Sequence, residues 1–204
     1  MATATDVLAY AKSLQGQYSR PNPFSLWYSA RHRMPFKTSA WCAMFATYVG
    51  YRTGMVAEFG EFASCPLWVS DLKRRKRWTK RPEVGALVFY DWNDDGQADH
   101  VGLVVRVLSG GRIEAIEGNT RKGGHVDRVA LQTRSPGDVL GYGRISYTPD
   151  TGTTYVVKSG DTLARIAQRY GTTWQKVHEA NRATIGADPG KILPGQRLKI
   201  PHGS

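Results

Sequence analysis

Cysteine is scarce in this chain of 204 residues, which holds only Cys42 and Cys65. Two cysteines do not make a disulfide framework, so a packed core must hold the fold. One bridge between them is conceivable, and the sequence alone does not settle it. Long apolar runs are missing too. The most apolar stretches, 85–90 and 101–107, fall far short of the ~20 residues that span a bilayer, so no membrane anchor is expected. The opening Met-Ala-Thr-Ala-Thr-Asp has neither the basic start nor the apolar stretch of a secretory leader. A substrate outside the membrane would therefore be reached by another route. Acidic residues are in deficit: 17 against 28 Lys and Arg, for a net charge of +11. Residues 151–204 hold 8 basic and 3 acidic side chains, +5, which leaves +6 for the rest. Such a surface attracts any polyanion. Nucleic acid, anionic lipid and acidic wall polymers all qualify, and charge does not choose among them.

What is present describes a folded protein. Hydrophobic residues are 41% and charged residues 22%, and the length suits one core-bearing domain with a small second one. Thr5 to Gln15 reads as a helix capped by Thr5 and ended by Gly16. Residues 17–38 read as irregular. A second helix spans about Ala40 to Thr53, with Trp41, Phe45, Tyr48 and Val49 as its buried stripe, and a third spans Pro66 to Arg77. Strands follow at Ala86–Tyr90, His100–Leu108, Arg112–Glu117, Val126–Leu131 and Gly141–Ser146. Helices followed by a strand meander indicate an α+β domain. Thr148 to Thr153 is a turn-rich linker. Beyond it comes a βααβ unit: a strand at Tyr155–Val157, a helix capped by Asp161, a second helix from Trp174 to Asn181 with Trp174 and Val177 inward, and a strand at Gln196–Ile200.

One thiol stands where chemistry is easy. Cys42 starts the second helix, where the dipole favours a thiolate and free N–H groups can face an oxyanion. A thiolate needs a base. Of His32, His100, His125, His178 and His202, only His100 opens a strongly apolar strand, which fixes a side chain's direction. Glu117 and Asn119, two apart on the next strand, share a face and can orient the imidazole. Residue types alone leave open that Cys42 is simply a small buried hydrophobe.

Four ordered blocks narrow this reading: Ser39-Ala40-Trp41-Cys42-Ala43-Met44-Phe45, Val84-Gly85-Ala86-Leu87-Val88-Phe89-Tyr90, Asp99-His100-Val101-Gly102 and Ile116-Glu117-Gly118-Asn119. Together they resemble the CHAP family of cysteine, histidine-dependent amidohydrolases and peptidases, over residues 1–147. The resemblance implies a papain-like fold with an antiparallel sheet. It also implies Cys42 as nucleophile, His100 as base, Glu117 and Asn119 as orienting residues, and hydrolysis of a peptidoglycan amide through an acyl-enzyme. Cys65 has no such block around it and reads as structural.

The stretch from Asp91 to Asp99 is a candidate calcium loop. Asp91, Asn93, Asp95 and Asp99 fall at positions one, three, five and nine of an EF-hand loop, Gly96 at six, and Gln97 offers a carbonyl at seven. Gly102 stands where the closing Glu should be. A polar hairpin loop gives the same composition. Calcium there would brace the loop beside His100, and no cofactor is required for the chemistry.

Residues 154–201, from Tyr155-Val156-Val157-Lys158-Ser159-Gly160-Asp161-Thr162-Leu163 to Ile192-Leu193-Pro194-Gly195-Gln196, resemble a LysM domain. The resemblance implies binding of N-acetylglucosamine-containing glycan between Gly160-Asp161-Thr162 and Ile192-Leu193-Pro194. The segment Arg182–Lys191 looks longer than usual there. The basic run Lys73–Arg77 reads as a solvated face rather than a nucleic-acid site. The expectation is a monomeric, phage-type endolysin that gathers in the host cytoplasm, acts on the wall after release, and binds both stem peptide and glycan. A secreted bacterial autolysin and a non-catalytic wall-binding protein are the alternatives.

Overall fold

The computed structural model describes residues 2–18, 21–122, 125–148 and 153–201, with only the backbone at 122, 125, 126 and 153. The chain divides into two compact units, Met1–Thr148 and Pro149–Ser204.

The larger unit begins with α1 (Ala4–Ser13), capped by Thr3 in a reciprocal pair with Asp6. Thr5 therefore lies inside the helix rather than at its cap. A helix that the composition of residues 17–38 hides follows, α2 (Pro23–His32). The Asn22 side chain accepts from the Phe24 and Ser25 N–H groups at 3.0 and 2.9 Å, and Pro23 is preorganised for the first turn. Then come α3 (Cys42–Arg52), a single turn α4 (Val56–Phe59) and α5 (Cys65–Arg74).

Six strands follow: β1 (Trp78–Thr79), β2 (Leu87–Tyr90), β3 (His100–Val107), β4 (Ile113–Lys122), β5 (His125–Arg134) and β6 (Val139–Gly143). They form one antiparallel sheet in the order β1-β6-β2-β3-β4-β5. Leu87 and Phe89 join the main core with Trp41, Phe45, Trp68 and Val101, while Val88 and Tyr90 join a second cluster with Val104 and Tyr142. A strand buried on both faces is why Ala86–Tyr90 reads as one continuous apolar run.

The sheet packs closely on α3 because of one glycine. A Cβ on Gly118 would lie 2.5 Å from Phe45 Cβ and 2.8 Å from the Trp41 ring. Only hydrogen at that position lets β4 approach the helix that starts with Cys42. Two members of the basic run turn inward, Arg75 donating to the Ala57 and Glu58 carbonyls and Arg77 pairing with Glu58, while Lys73, Arg74 and Lys76 stay exposed as a solvated face. These contacts tie the end of α5 to α4.

The smaller unit holds β7 (Thr153–Val156), α6 (Leu163–Arg169), α7 (Trp174–Ala180), a turn α8 (Arg182–Ile185) and β8 (Arg197–Ile200). The two strands pair antiparallel. Its core is Tyr155, Val157, Leu163, Ile166, Val177, Leu198 and their neighbours. Thr162, not Asp161, caps α6. Among the described residues no helix is long and apolar enough to cross a membrane.

Candidate active site

Cys42 is the first residue of α3. Its N-cap, Trp41, makes no side-chain cap bond, so first-turn N–H groups keep their positive potential for the sulfur. The sulfur hydrogen-bonds to Cys65 at 3.8 Å. The Cys65 thiol first, then the neighbouring His100 imidazole and the Ala43 N–H, outweigh burial and hold the Cys42 pKa well below its usual value. The residue is 5% exposed.

His100 opens β3 opposite Tyr90. Its Nε2 lies 3.1 Å from Glu117 Oε2, which leaves Nδ1 for Cys42. Trp92 stacks on the ring with centroids 5.0 Å apart. Burial alone would push the imidazole pKa down. Hydrogen bonds and charge from Cys42 and Glu117 overcome this and raise it to about 9.

Glu117 is fully buried, at 0% exposure. It is a neighbour of Gly102 across the sheet, and the lack of a side chain there makes room for it: a Cβ on Gly102 would stand 2.7 Å from Glu117 Cγ. Four donor atoms from three residues converge on its oxygens. They are the Tyr90 hydroxyl at 2.9 Å, His100, and Arg134 through Nε at 2.9 Å and Nη2 at 2.6 Å. Burial raises the carboxyl pKa, but Arg134 and His100 more than offset it and bring it to about 2. Charge then alternates along the array: thiolate, imidazolium, carboxylate, guanidinium. A buried array of this kind is stable only when every member is satisfied.

Arg134 lies on β5. No motif marks it, and its place depends on the β4–β5 pairing. Asn119 behaves differently from expectation. It adopts a left-handed conformation at φ 55°, the β4–β5 register shifts between Glu117 and Thr120, and Asn119 makes no hydrogen bond to His100 among the described residues. It lines two cavities instead. One, about 130 Å³, has Asn22, Lys37 to Trp41 and Asp127 around it, and the other, about 300 Å³, has Trp92, Thr120, Arg121, Gln132 and Arg134. Asn119 is the residue the two cavities share.

The 91–99 loop closes on itself. Asp91 accepts from the Asp95 and Gly96 N–H groups, Asn93 from Asp95, Asp95 from Gln97 and Asp99 from Trp92. Among the described residues, no three His, Cys, Asp or Glu side chains converge to hold a metal ion. Gly102 supplies no closing carboxylate, so the donor set fits calcium incompletely. The loop's contribution to the site is Trp92.

Of the other histidines, His32 is not a free surface group: it stacks on Tyr28 at 4.2 Å. His178 Nε2 contacts the Gly186 carbonyl at 2.9 Å. The His125 side chain and His202 lie outside the described residues. Cys65, expected to be merely structural, lies with its Sγ 3.8 Å from that of Cys42, both thiols free.

In the smaller unit a groove of about 230 Å³ is lined by Thr162, Leu163, Ala164, Trp174, Pro189 and Gly190. Of the six expected glycan-binding residues, only Thr162 lines it. Asp161 ties the turn by accepting from the Lys158 N–H and the Tyr155 hydroxyl. The Gly160 carbonyl accepts from Arg165. Ile192 packs on the core, while Leu193 is exposed and donates its N–H to Gln196, and Pro194 is exposed. Pro189 and Gly190 belong to the long segment before β8, which does form one wall. Trp174 is 41% exposed, against the expectation that it points inward.

A staphylococcal N-acetylmuramoyl-L-alanine amidase sle1, from Staphylococcus saprophyticus, is 54% identical over 50 residues, 24% of this chain and 14% of that protein. The Staphylococcus epidermidis protein of the same name is 47% identical over 51 residues, 25% of this chain and 14% of that protein. The chain thus spans about a seventh of the length of these curated relatives. The crystal structure of the endolysin LysIME-EF1 superposes with a TM-score of 0.50 at 17% identity, over 85% of this chain and 88% of that one, a likeness of fold. Family models match residues 34–119 and 155–201. The chain therefore carries a CHAP domain followed by a LysM domain.

Proposed function

We propose that this chain is a peptidoglycan hydrolase that cleaves an amide bond with Cys42 and holds the wall with its LysM domain. The observation that carries the reading is the buried Cys42–His100–Glu117–Arg134 array, with a lowered thiol and a raised imidazole pKa. The Cys42 thiolate adds to the amide carbon, and its own backbone N–H faces the oxyanion. His100, as imidazolium, gives its proton to the departing nitrogen, and an amine leaves from a Cys42 thioester. Water then attacks the thioester while His100 takes its proton. Collapse releases the acid and restores the thiolate–imidazolium pair. Glu117 fixes the ring and balances its charge throughout. Calcium enters no step.

The groove beside Trp174 takes the N-acetylglucosamine-containing glycan: an exposed indole presents a flat apolar face to a sugar ring. The amidase names of the partial relatives make the glycan–peptide bond the first to examine, ahead of a stem-peptide bond. A phage-type endolysin is the finer reading, supported by the fold shared with an endolysin. It predicts that expression inside a host lyses cells only when a membrane pore is co-expressed.

The direct test is digestion of purified peptidoglycan by the wild-type chain and by Cys42→Ala, with mass spectrometry of released fragments. Wild type is expected to solubilise the wall, and Cys42→Ala to bind it with turnover reduced on the order of 10³-fold or more. Equal activity of the two would remove Cys42 as nucleophile, and the fragment masses name the bond.

A further inference from the structure

Cys65 touches the reacting atom. It opens α5, which Ser64 caps, and its sulfur stands 3.8 Å from that of Cys42, with each residue 5% exposed. Among the described residues this is the only hydrogen bond its thiol makes.

We propose, resting on the reading of Cys42 as nucleophile, that Cys65 is a positioning residue whose S–H donates to the Cys42 thiolate. The groups that face the pair are His100 and Asp99 at the start of β3, Glu117 on β4 behind the imidazole, and the Ala43 N–H on α3. The Cys42 thiolate is thus favoured by the Cys65 thiol, its hydrogen-bond partner, and by the imidazole and the Ala43 N–H beside it. Among the described residues no cation lowers the pKa of Cys65. Its hydrogen bond to Cys42, its burial, and the negative charges of Cys42 and Asp99 all push its pKa up. It stays protonated when Cys42 has lost its proton, and one negative charge is shared across the two sulfurs.

A protonated thiol is a poor attacking group in disulfide chemistry. The sulfurs also stand 3.8 Å apart, against ~2.05 Å in an S–S bond, so a cross-link would require both side chains to rearrange. The pair is thus arranged to share a proton rather than to cross-link. The donor positions the sulfur as well as charging it: the Cys42 side chain is held between Cys65 and His100.

The test follows alkylation of Cys42 by iodoacetamide against pH, in the full chain, for wild type, Cys65→Ala and Cys65→Ser, with the modified peptide identified by mass spectrometry. Cys65→Ala is expected to move the midpoint up by about one pH unit, which slows alkylation about tenfold on the acid side. Cys65→Ser keeps a donor and is expected to titrate close to wild type. An unmoved midpoint in Cys65→Ala overturns the proposal, as does an equal shift in both variants, which would mean packing alone. So does a wild-type chain that becomes lighter by two hydrogens under peroxide, with Cys42 and Cys65 cross-linked and turnover restored by reductant. Alkylation needs no substrate, so these results are independent of whether the wall is cut. Hydrolysis that survives Cys42→Ala would instead strike the proposed function itself.

Discussion

The two units place their working groups in opposite environments. In the larger one, Glu117 is wholly buried and surrounded by donors from Tyr90, His100 and Arg134. In the smaller one, Trp174 stands half in solvent beside an open groove. A thiolate–imidazolium pair gains from low dielectric, provided every charge has its partner. A sugar-binding face must be left uncovered, and its members act nearly independently. Damage to the buried array should therefore spread to stability, turnover and pH dependence together, whereas damage to the groove should alter binding alone.

Arg134→Gln gives the largest effect outside Cys42. It leaves Glu117 a buried carboxylate with fewer donors, and breaking such a pair costs about 3–5 kcal/mol. Because the Arg134 side chain is 21% exposed, about 2–3 kcal/mol is expected. Turnover should fall on the order of 10²-fold. The sign of the pH effect is fixed. Glu117's folded pKa, about 2, lies below its ordinary 4.5, so the stabilisation is present above 4.5 and is lost as pH falls towards 2. Losing Arg134 shrinks that depression and moves acid unfolding to higher pH. His100 works in the other direction. Its folded pKa of about 9 exceeds the ordinary 6.5, so its stabilisation is complete below 6.5 and is lost as pH rises through 9, where activity should also decline. Melts of Arg134→Gln that overlay wild type across this range would reduce Arg134 to a surface group.

Gly102→Ala tests the same array by volume rather than charge. Its Cβ would stand 2.7 Å from Glu117 Cγ and 3.2 Å from the Ile116 carbonyl oxygen. Overpacking of this kind costs about 1–3 kcal/mol. The variant should fold with a lowered Tm and turn over about tenfold more slowly, because the shift displaces the carboxylate that orients His100. A variant with lowered Tm but unchanged kcat would show that the alignment of Glu117 tolerates error.

Trp174→Ala tests the other side of the comparison. Removal of an exposed indole is expected to weaken pull-down by insoluble wall glycan about tenfold, equivalent to about 1.4 kcal/mol. Tm and hydrolysis of small soluble fragments should stay near wild type. A variant that binds as well as wild type would place the glycan elsewhere, with exposed Leu193 the next residue to change.

The contrast between units also explains what the sequence makes legible. Periodicity and block order locate α3, β2 and β3, so Cys42 and His100 come straight from the chain. Glu117 follows from strand alternation, because the pleat is local. Arg134 and Cys65 do not follow: one depends on pairing across β4 and β5, the other on two helix starts meeting 23 residues apart in sequence. Strand alternation puts Asn119 on the face of Glu117, but the register shift after Glu117 breaks that alternation, and among the described residues no hydrogen bond joins Asn119 to His100. Helix α2 was hidden by aromatic and basic residues, although Asn22-Pro23 is a start signal. Trp174 is not inward with Val177: it occupies the first position of α7, where a helix has barely begun to define an inner face.

Calcium should give the smallest effect, and it discriminates between a loop that closes on its own bonds and one that needs an ion. The Asp91 carboxylate already accepts from Asp95 and Gly96, and Asp95 from Gln97. An ion would have to compete with these bonds, without a carboxylate from Gly102. At a concentration equal to its Kd an ion stabilises by RT ln 2, about 0.4 kcal/mol, which is about 1 °C for a domain of this size. Melting curves in millimolar calcium and in chelator are therefore expected to differ by about 1 °C or less, with kcat unchanged. A rise of several degrees would mean that the loop's oxygens turn from the backbone to the ion. Trp92 would then be braced against His100 by calcium, and the larger unit would acquire a ligand-dependent element that the comparison now assigns only to the smaller one.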